Sequence, residues 1–287
     1  MRVAIVGVGA IGGALTGLLD QTGRHDLTLC TRRPMPQLTV TWPDGETRVR
    51  GRNLTASGQA DSVDWIIVAT KTYDAEGAAA WFPALCAKGA PVAVVQNGVE
   101  HRERFLPYVT AERLLPVIIN CPVERPADGE VHVRGACTMK VEDSPLARGF
   151  AALFAGTAAT VELVPDFVTA AWYKLCINAA GVLCALTQKP TRVLWSDPIS
   201  SIASGIVEEC AAVGRAEGAL LDADTGRRVL DHYRGLPADS VNSLLADRLA
   251  GRCMEVDARN GVIVRKGEKH GIPTPLNRMA AVLLEAI

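Results

Sequence analysis

A chain of 287 residues is long enough for two domains of about 150 residues each. Its 30 Lys and Arg residues nearly balance its 31 Asp and Glu residues, which excludes a protein that binds nucleic acid by neutralising many phosphates. Hydrophobic residues make up 48% of the chain and charged residues 21%, a composition that is typical of a folded protein and excludes a disordered one.

The sequence contains no pattern typical of an export signal or of a membrane-spanning segment. The apolar run at the N-terminus ends at Gly7, too early for the core of a signal peptide. The longest weakly polar stretch, 175–186, contains Asn178 and is shorter than the roughly 18 residues that a span needs. Eight scattered cysteines without a C-x-x-C pair favour reduced core thiols, with metal or disulfide use as the alternative. We therefore expect a cytoplasmic protein without a membrane partner.

Strands and helices are predicted to alternate through the first half of the chain. A β-branched run at 2–6 ends at glycine, residues 10–19 have helical spacing, and residues 40–49 alternate like a hairpin. The other predicted elements are a crossover helix at 75–85 and strands at 27–30, 65–69, 91–95, 114–119, 130–133 and 160–164. Several of these strands are apolar throughout, as in a parallel sheet covered on both faces. The sequence thus predicts an α/β fold with a Rossmann-type, doubly wound sheet.

The pattern changes after Pro165, where β-branched runs stop and helical spacing dominates. One long helix is predicted over 166–186, and a second begins at the Asp197-Pro198 pair, followed by two or three more. We therefore predict a dinucleotide-binding Rossmann domain over residues 1–165 and an all-helical domain over residues 166–287.

The glycine-rich segment after the first strand fits the pattern G-x-G-x-x-G. A strand directly precedes it and a helix directly follows, and this context favours a dinucleotide-binding turn over a glycine turn without a ligand. Gly7 permits the tight turn, Gly9 lets a pyrophosphate approach the backbone, and Gly12 allows the helix to pack closely. Because the helix N-terminus adds unpaired N–H donors, the predicted cofactor-binding residues are Gly7, Val8, Gly9, Ala10, Ile11 and Gly12.

The end of the second predicted strand indicates which dinucleotide binds. An NAD site places Asp or Glu there to bond the ribose 2′-hydroxyl, whereas this chain has Thr31-Arg32-Arg33. Because guanidinium groups suit a 2′-phosphate, the sequence favours NADP(H) held by Arg32 or Arg33. The alternative is a solvated basic pair on the surface.

Two polar side chains follow predicted strands of the sheet. Lys71 comes after the strand at 65–69, and Asn97 comes after the strand at 91–95. Ligands of open α/β sheets bind beyond the carboxyl ends of the strands, so both residues are candidates for contact with cofactor or substrate. The alternatives are a solvent-facing charge for Lys71 and a turn residue for Asn97.

Lys174 and Asn178 are four residues apart and therefore share one face of the predicted helix. The rest of that helix is rich in apolar residues, so the ammonium is expected to be partly desolvated. Desolvation lowers the pKa of a lysine towards the range where it exchanges a proton near neutral pH. A lysine whose ammonium extends into water is the alternative that spacing leaves open.

These residues, with further motifs in the second half, resemble the ketopantoate reductases (2-dehydropantoate 2-reductases). The motifs follow the order of that family over nearly the full chain, and those of the second half are the more specific. They are Gly7-Val8-Gly9-Ala10-Ile11-Gly12, Lys71, Gln96-Asn97-Gly98, Trp172-x-Lys174-x-x-x-Asn178, Ser243-x-x-x-Asp247, Glu255-x-Asp257-x-x-Asn260-Gly261 and Gly271-Ile272-Pro273-Thr274-Pro275. The resemblance implies NADPH-dependent reduction of a 2-oxo acid in the cleft between a Rossmann domain and a helical domain.

The resemblance also implies roles for single residues. Lys174 corresponds to the general acid that protonates the oxygen of the reduced carbonyl. Asn178 corresponds to an asparagine that holds the substrate, and Ser243 to a hydroxyl that binds the substrate carboxylate. The family's contacts to both cofactor and substrate correspond here to Lys71, Asn97 and Glu255.

One position departs from the family pattern. Family members carry a second asparagine one turn beyond Asn178, in contact with the distal hydroxyl of ketopantoate, and this chain has Val182 there. Loss of that amide removes discrimination in favour of a hydroxylated substrate. Three functions stay open: reduction of 2-dehydropantoate to pantoate in pantothenate biosynthesis, reduction of a bulkier or less polar 2-oxo acid, and an NADP-binding sensor without chemistry. The sequence predicts no metal and leaves a homodimer open.

Overall fold

The computed structural model describes residues 1–287, and the chain forms two compact units. The first unit consists of Met1–Gln96 and Glu100–Phe167, and the second of Asn97–Val99 and Val168–Ile287. Asn97, predicted in the first domain, therefore groups with the helical part of the chain. The functional division into a cofactor domain and a substrate domain stays a prediction.

The strands all lie in the first unit. They are β1 (Arg2–Val6), β2 (Asp26–Cys30), β3 (Thr39–Trp42), β4 (Gly45–Arg48), β5 (Gly51–Leu54), β6 (Trp65–Val68), β7 (Val92–Val94), β8 (Leu114–Pro116), β9 (Ile118–Asn120), β10 (Val123–Glu124), β11 (Glu130–Val133), β12 (Thr138–Glu142) and β13 (Thr160–Val164). The main sheet has the order β5-β2-β1-β6-β7-β8, and its strands are parallel. This confirms the predicted Rossmann-type sheet, and β3 with β4 confirms the predicted hairpin.

Two hydrophobic clusters cover the two faces of the main sheet. Val3 and Ile5 of β1 belong to one cluster, and Ala4 and Val6 belong to the other. Successive side chains of a strand point to opposite faces, so a strand that is apolar throughout must be covered on both sides. The helices of this unit are α1 (Ala10–Gln21), α2 (Ala75–Ala79), α3 (Phe82–Leu85), α4 (His101–Phe105) and α5 (Pro145–Leu153).

The predicted strand at 114–119 is two strands in the structure. β8 pairs in parallel with β7 at the edge of the main sheet, whereas β9 pairs antiparallel with β12 in a separate three-stranded sheet. Pro116 ends β8, because proline has no N–H to donate to a ladder and is confined to edges and ends of strands. A second difference is β5, a short polar edge strand that the apolar pattern did not indicate.

The second unit is helical, as predicted, around one hydrophobic core. Its helices are α6 (Phe167–Ala180), α7 (Val182–Thr187), α8 (Ile199–Ala216), α9 (Thr225–Arg234), α10 (Ser243–Leu249), α11 (Val262–His270) and α12 (Pro275–Glu285), and a π-helical turn (Asp257–Gly261) leads into α11. The segment Phe167–Thr187 is long and apolar enough to cross a membrane, but 61% of its most apolar 18-residue window is buried inside the protein. That burial is typical of a core helix.

The predicted helix over 166–186 is interrupted at Gly181, between α6 and α7. Two side chains bond to backbone carbonyls at this break. The Tyr233 hydroxyl donates to the Ile177 carbonyl at 2.7 Å, and Asn242 Nδ2 donates to the Gly181 carbonyl at 2.9 Å. A Cβ at position 181 would lie 2.8 Å from each of these polar atoms, so an alanine there would have to displace both side chains from their hydrogen bonds. Periodicity could not reveal a break that depends on residues more than 50 positions away.

Candidate active site

The predicted phosphate-binding turn connects β1 to α1. Gly7 has φ +93°, and a Cβ there would lie 2.6 Å from the side chain of Thr70. A Cβ on Gly12 would lie 2.0 Å from the carbonyl oxygen of Gly7. No protein atom would lie within 4 Å of a Cβ added at Gly9, so open space adjoins the first turn of α1.

The first turn of α1 is suited to an anion. It contains no acidic residue, and its N-cap residue Gly9 makes no side-chain capping hydrogen bond. The N–H groups at the start of a helix have no partner within the helix, and the helix dipole adds positive potential there. Glycine at position 9 therefore leaves room beside unpaired donors, which is the arrangement that a pyrophosphate requires.

Asn53 holds the turn after β2, where the two predicted phosphate-binding arginines lie. Its Nδ2 donates to the Leu29 carbonyl at 3.1 Å and to Thr31 Oγ1 at 2.8 Å. Both arginines are exposed, and Arg32 Nη1 lies 3.7 Å from a carboxylate oxygen of Asp74. The backbone of the turn is thus fixed while both guanidinium groups reach solvent. No pattern in the sequence indicated Asn53, because it lies on the polar strand β5.

The ends of β6 and β7 are tied together by Gln96. Its Nε2 donates to Thr70 Oγ1 at 3.0 Å and to the Lys71 carbonyl at 3.3 Å. The carbonyl of Gln96 lies 2.9 Å from Nε2 of His101, and burial lowers the pKa of that histidine to about 4. These contacts place the half-buried Lys71 directly after β6, as predicted.

Three of the predicted site residues meet in the second unit. Asn97 Nδ2 donates to Glu255 Oε2 at 3.0 Å, and Asn178 Nδ2 donates to Asn97 Oδ1 at 3.4 Å. Gly98 fixes this segment, because it has φ +92° and a Cβ there would lie 2.8 Å from the Ala258 carbonyl. The result is a chain of two amides ending on a buried carboxylate. We call Asn97, Asn178 and Glu255 the amide–carboxylate cluster.

Lys174 lies on α6 one turn before Asn178, where it is half-buried. Burial and, as the smaller cause, the positive charge of Arg259 together lower the pKa of its ammonium to about 8. A group with this pKa is mostly protonated at pH 7 and gives up its proton more readily than an ordinary lysine.

Arg259 is a charged residue of this unit that sequence analysis did not identify. It lies on the π-helical turn four residues after Glu255 and is only 2% exposed. Burial lowers the pKa of its guanidinium, while the charges of Glu255 and Asp247 act in the opposite direction. Residue 259 is an unspecified position of the motif that continues to Asn260-Gly261, so motif spacing could not indicate it.

Ser243 is the first residue of α10 and is exposed. Its neighbour Asn242 caps the helix, accepting a hydrogen bond from the Leu245 N–H at 2.9 Å. Ser243 is not part of the amide–carboxylate cluster, and its predicted role in binding a carboxylate stays a prediction. Val182, at the start of α7, is fully buried in the core of the unit.

Two family models match the chain in succession. One, described as ketopantoate reductase PanE/ApbA, matches residues 3–145, and the other, described as ketopantoate reductase PanE/ApbA C terminal, matches residues 166–287. A curated relative, the 2-dehydropantoate 2-reductase of Caulobacter vibrioides, is 44% identical over 284 residues, covering 99% of this chain and 98% of that protein.

Solved structures agree with these matches. A PanE/ApbA family ketopantoate reductase from Ralstonia eutropha JMP134 has a TM-score of 0.91 at 30% identity, covering 100% of this chain and 98% of that one. A D-mandelate dehydrogenase solved with NADH and anilino(oxo)acetate has a TM-score of 0.90 at 23% identity, with coverage of 100% and 98%. At that identity the likeness concerns the fold.

Proposed function

The chain belongs to the ketopantoate reductase family of oxidoreductases acting on CH–OH groups, and from this premise we propose that it reduces a 2-oxo acid with NADPH. The proposed reaction converts 2-dehydropantoate to pantoate, a step of pantothenate biosynthesis. The observation that carries the proposal is Lys174, whose pKa of about 8 suits proton donation, one turn from Asn178 of the amide–carboxylate cluster.

The glycine turn and the arginines after β2 fit a phosphorylated dinucleotide. The backbone donors beside Gly9 would hold the pyrophosphate, because open space adjoins them. Arg32 and Arg33 would bind the 2′-phosphate, because their guanidinium groups reach solvent from a fixed turn. When bound, the reduced nicotinamide supplies the hydride that the reaction requires. Lys71 is proposed to contact the same cofactor from the end of β6.

Lys174 is the proposed general acid. Reduction of a keto group places negative charge on the carbonyl oxygen, and a positioned ammonium stabilises that charge and then donates a proton to it. Desolvation makes this donation easier, because it destabilises the charged form of the lysine relative to its neutral form.

The amide–carboxylate cluster is proposed to orient the reactants. The Asn97 amide is held in one direction because its Nδ2 donates to Glu255 and its Oδ1 accepts from Asn178. A side chain fixed in this way binds a polar ligand without losing rotamer freedom at the moment of binding. Glu255 would thus position Asn97, while Asn178 lies on the same helix as Lys174.

An initial-rate panel tests the proposed function. From the substrate named for the relative that is 44% identical, we expect NADPH to be consumed faster with 2-dehydropantoate than with 2-oxoisovalerate, which lacks the distal hydroxymethyl group, although Val182 adds nothing to that preference. Val182 makes this comparison decisive, because a buried apolar residue offers that hydroxyl no hydrogen bond. Faster turnover of 2-oxoisovalerate would reassign the substrate, and tight NADPH binding without turnover of any 2-oxo acid would indicate a sensor instead.

Replacing both Arg32 and Arg33 by alanine is expected to reduce the preference for NADPH over NADH by about 10-fold or more. A charge-assisted hydrogen bond contributes about 1.5–3 kcal/mol to binding. NADH has no 2′-phosphate, so the substitutions remove no such bond from its complex. The measurement is the ratio of kcat/KM values for the two coenzymes. Arg52→Ala, an exposed arginine on β5 of the same sheet, is the control. An unchanged ratio in the double variant would mean that the phosphate is bound elsewhere.

The rate of 2-oxo acid reduction is expected to fall as the pH rises through about 8. Lys174 must be protonated to act as an acid, and its protonated fraction decreases above its pKa. The reverse reaction, oxidation of the 2-hydroxy acid, needs the neutral amine and should rise over the same range. Opposite slopes of log kcat in the two directions would support the assignment, and parallel slopes would contradict it.

A further inference from the structure

Arg259 has a feature that the proposed chemistry does not yet explain. The residue is only 2% exposed, and its Nε has no hydrogen-bond partner in the protein. Four buried side-chain atoms in the whole chain lack a partner, and two of them, Arg259 Nε and Asn260 Oδ1, belong to neighbouring residues of one turn. Buried polar groups in native proteins nearly always have a partner, so this cation requires a reason.

The turn that carries Arg259 is itself unusual. Residues Asp257–Gly261 form a π-helical turn, a rare conformation that occurs frequently at functional sites. The same turn contacts the cluster, because the Ala258 carbonyl lies against Gly98, next to Asn97. The backbone thus holds Arg259 in the part of the unit that carries the amide–carboxylate cluster.

The carboxylates whose charges act on Arg259 have hydrogen bonds to other groups. Glu255 Oε2 accepts from Asn97 Nδ2 at 3.0 Å, and Asp247 Oδ1 accepts from Arg252 Nε at 2.9 Å. The Lys174 ammonium also interacts with the guanidinium and repels it. Two desolvated cations therefore lie in one region, and a bound anion would stabilise both.

We propose that Arg259 binds the carboxylate of the 2-oxo acid, an inference that rests on the proposed function. In such a substrate the carboxylate is bonded to the keto carbon, so an enzyme that protonates the keto oxygen from Lys174 must bind the carboxylate close by. A guanidinium presents a planar fork of donors that matches a carboxylate, and a carboxylate bound at the Nε edge of this fork would supply the acceptor that Nε lacks. Compared with this guanidinium, the exposed Ser243 hydroxyl offers a carboxylate one neutral donor.

The test compares a 2-oxo acid with its neutral ester in the wild type and in Arg259→Met. The substrates are 2-oxoisovalerate and its methyl ester, and the readout is the ratio of their kcat/KM values with NADPH. We expect the variant to lower the acid-to-ester ratio by about 10-fold or more, the effect of losing a charged hydrogen bond. Arg259→Lys should retain part of the ratio, and the exposed Arg227→Met should leave it unchanged.

Folding does not confound this comparison. Removing Arg259 leaves the buried carboxylates of Glu255 and Asp247 with less positive charge nearby, so the thermal midpoint of Arg259→Met is expected to fall. The acid-to-ester ratio does not depend on the fraction of enzyme that is folded, because both substrates are measured on the same sample. An unchanged acid-to-ester ratio would overturn the proposal. So would a variant whose only change is a shifted pH optimum, because Arg259 would then act solely through Lys174.

A binding measurement separates this inference from the proposed function. Oxamate, an unreactive isostere of a 2-oxo acid, is titrated into the NADPH-loaded protein by calorimetry. If the wild type binds oxamate but reduces no 2-oxo acid, the proposed function fails while the role of Arg259 is still measured by the loss of oxamate affinity in Arg259→Met. Equal oxamate affinity in both proteins would overturn the role of Arg259 alone.

Discussion

Lys174→Ala is expected to lower kcat for 2-oxo acid reduction by about 10²–10⁴-fold, the usual contribution of a positioned general acid. The variant removes the ammonium of α6 but leaves the glycine turn of the first unit unchanged. NADPH affinity, measured by fluorescence titration, should therefore stay within about twofold of the wild-type value, because the lost interaction concerns the developing charge on the substrate.

The control for this variant is Lys189→Ala, which removes an exposed lysine of the same unit. It should leave both kcat and NADPH affinity unchanged, because an exposed ammonium is ordinarily solvated. A Lys174→Ala enzyme with wild-type kcat would remove Lys174 from its proposed role. Loss of NADPH affinity without loss of kcat would instead assign Lys174 to cofactor binding.

Two glycine variants are expected to separate folding from cofactor binding. In Gly12→Ala the new methyl would lie 2.0 Å from the Gly7 carbonyl oxygen, so the turn must shift. We expect the free energy of unfolding to fall by about 1–3 kcal/mol, the usual cost of overpacking. Because the same shift displaces the donors at the start of α1, NADPH binding should be lost as well.

Gly9→Ala is expected to fold normally and to bind NADPH at least about 10-fold more weakly. Its backbone is extended and its Cβ meets no protein atom within 4 Å, so the methyl occupies only the space proposed for the pyrophosphate. Gly58→Ala, which also meets no atom, is the matched control for both properties. Wild-type NADPH affinity in Gly9→Ala would show that the phosphates bind elsewhere.

Local patterns in the sequence were sufficient for much of this molecule. The main sheet could be predicted because its strands are apolar runs, and the glycine turn because its spacing lies between a strand and a helix. The pairing of Lys174 with Asn178 also required only helical periodicity. Each of these features depends on residues within a few positions of one another, where backbone geometry alone determines which side chains share a face.

Tertiary packing decided the contacts between distant segments, which these local patterns do not indicate. Asn97 is 158 residues from Glu255 and 81 from Asn178, and their hydrogen bonds depend on how distant segments pack. The break at Gly181 likewise depends on Tyr233 and Asn242, which belong to other helices. Burial of Arg259 has the same origin, since a charged residue in a helical pattern is ordinarily solvated. The sequence by itself determined which elements form and which chemical groups they carry. Long-range packing decided which polar groups contact one another and lose water, because burial depends on neighbours far away along the chain.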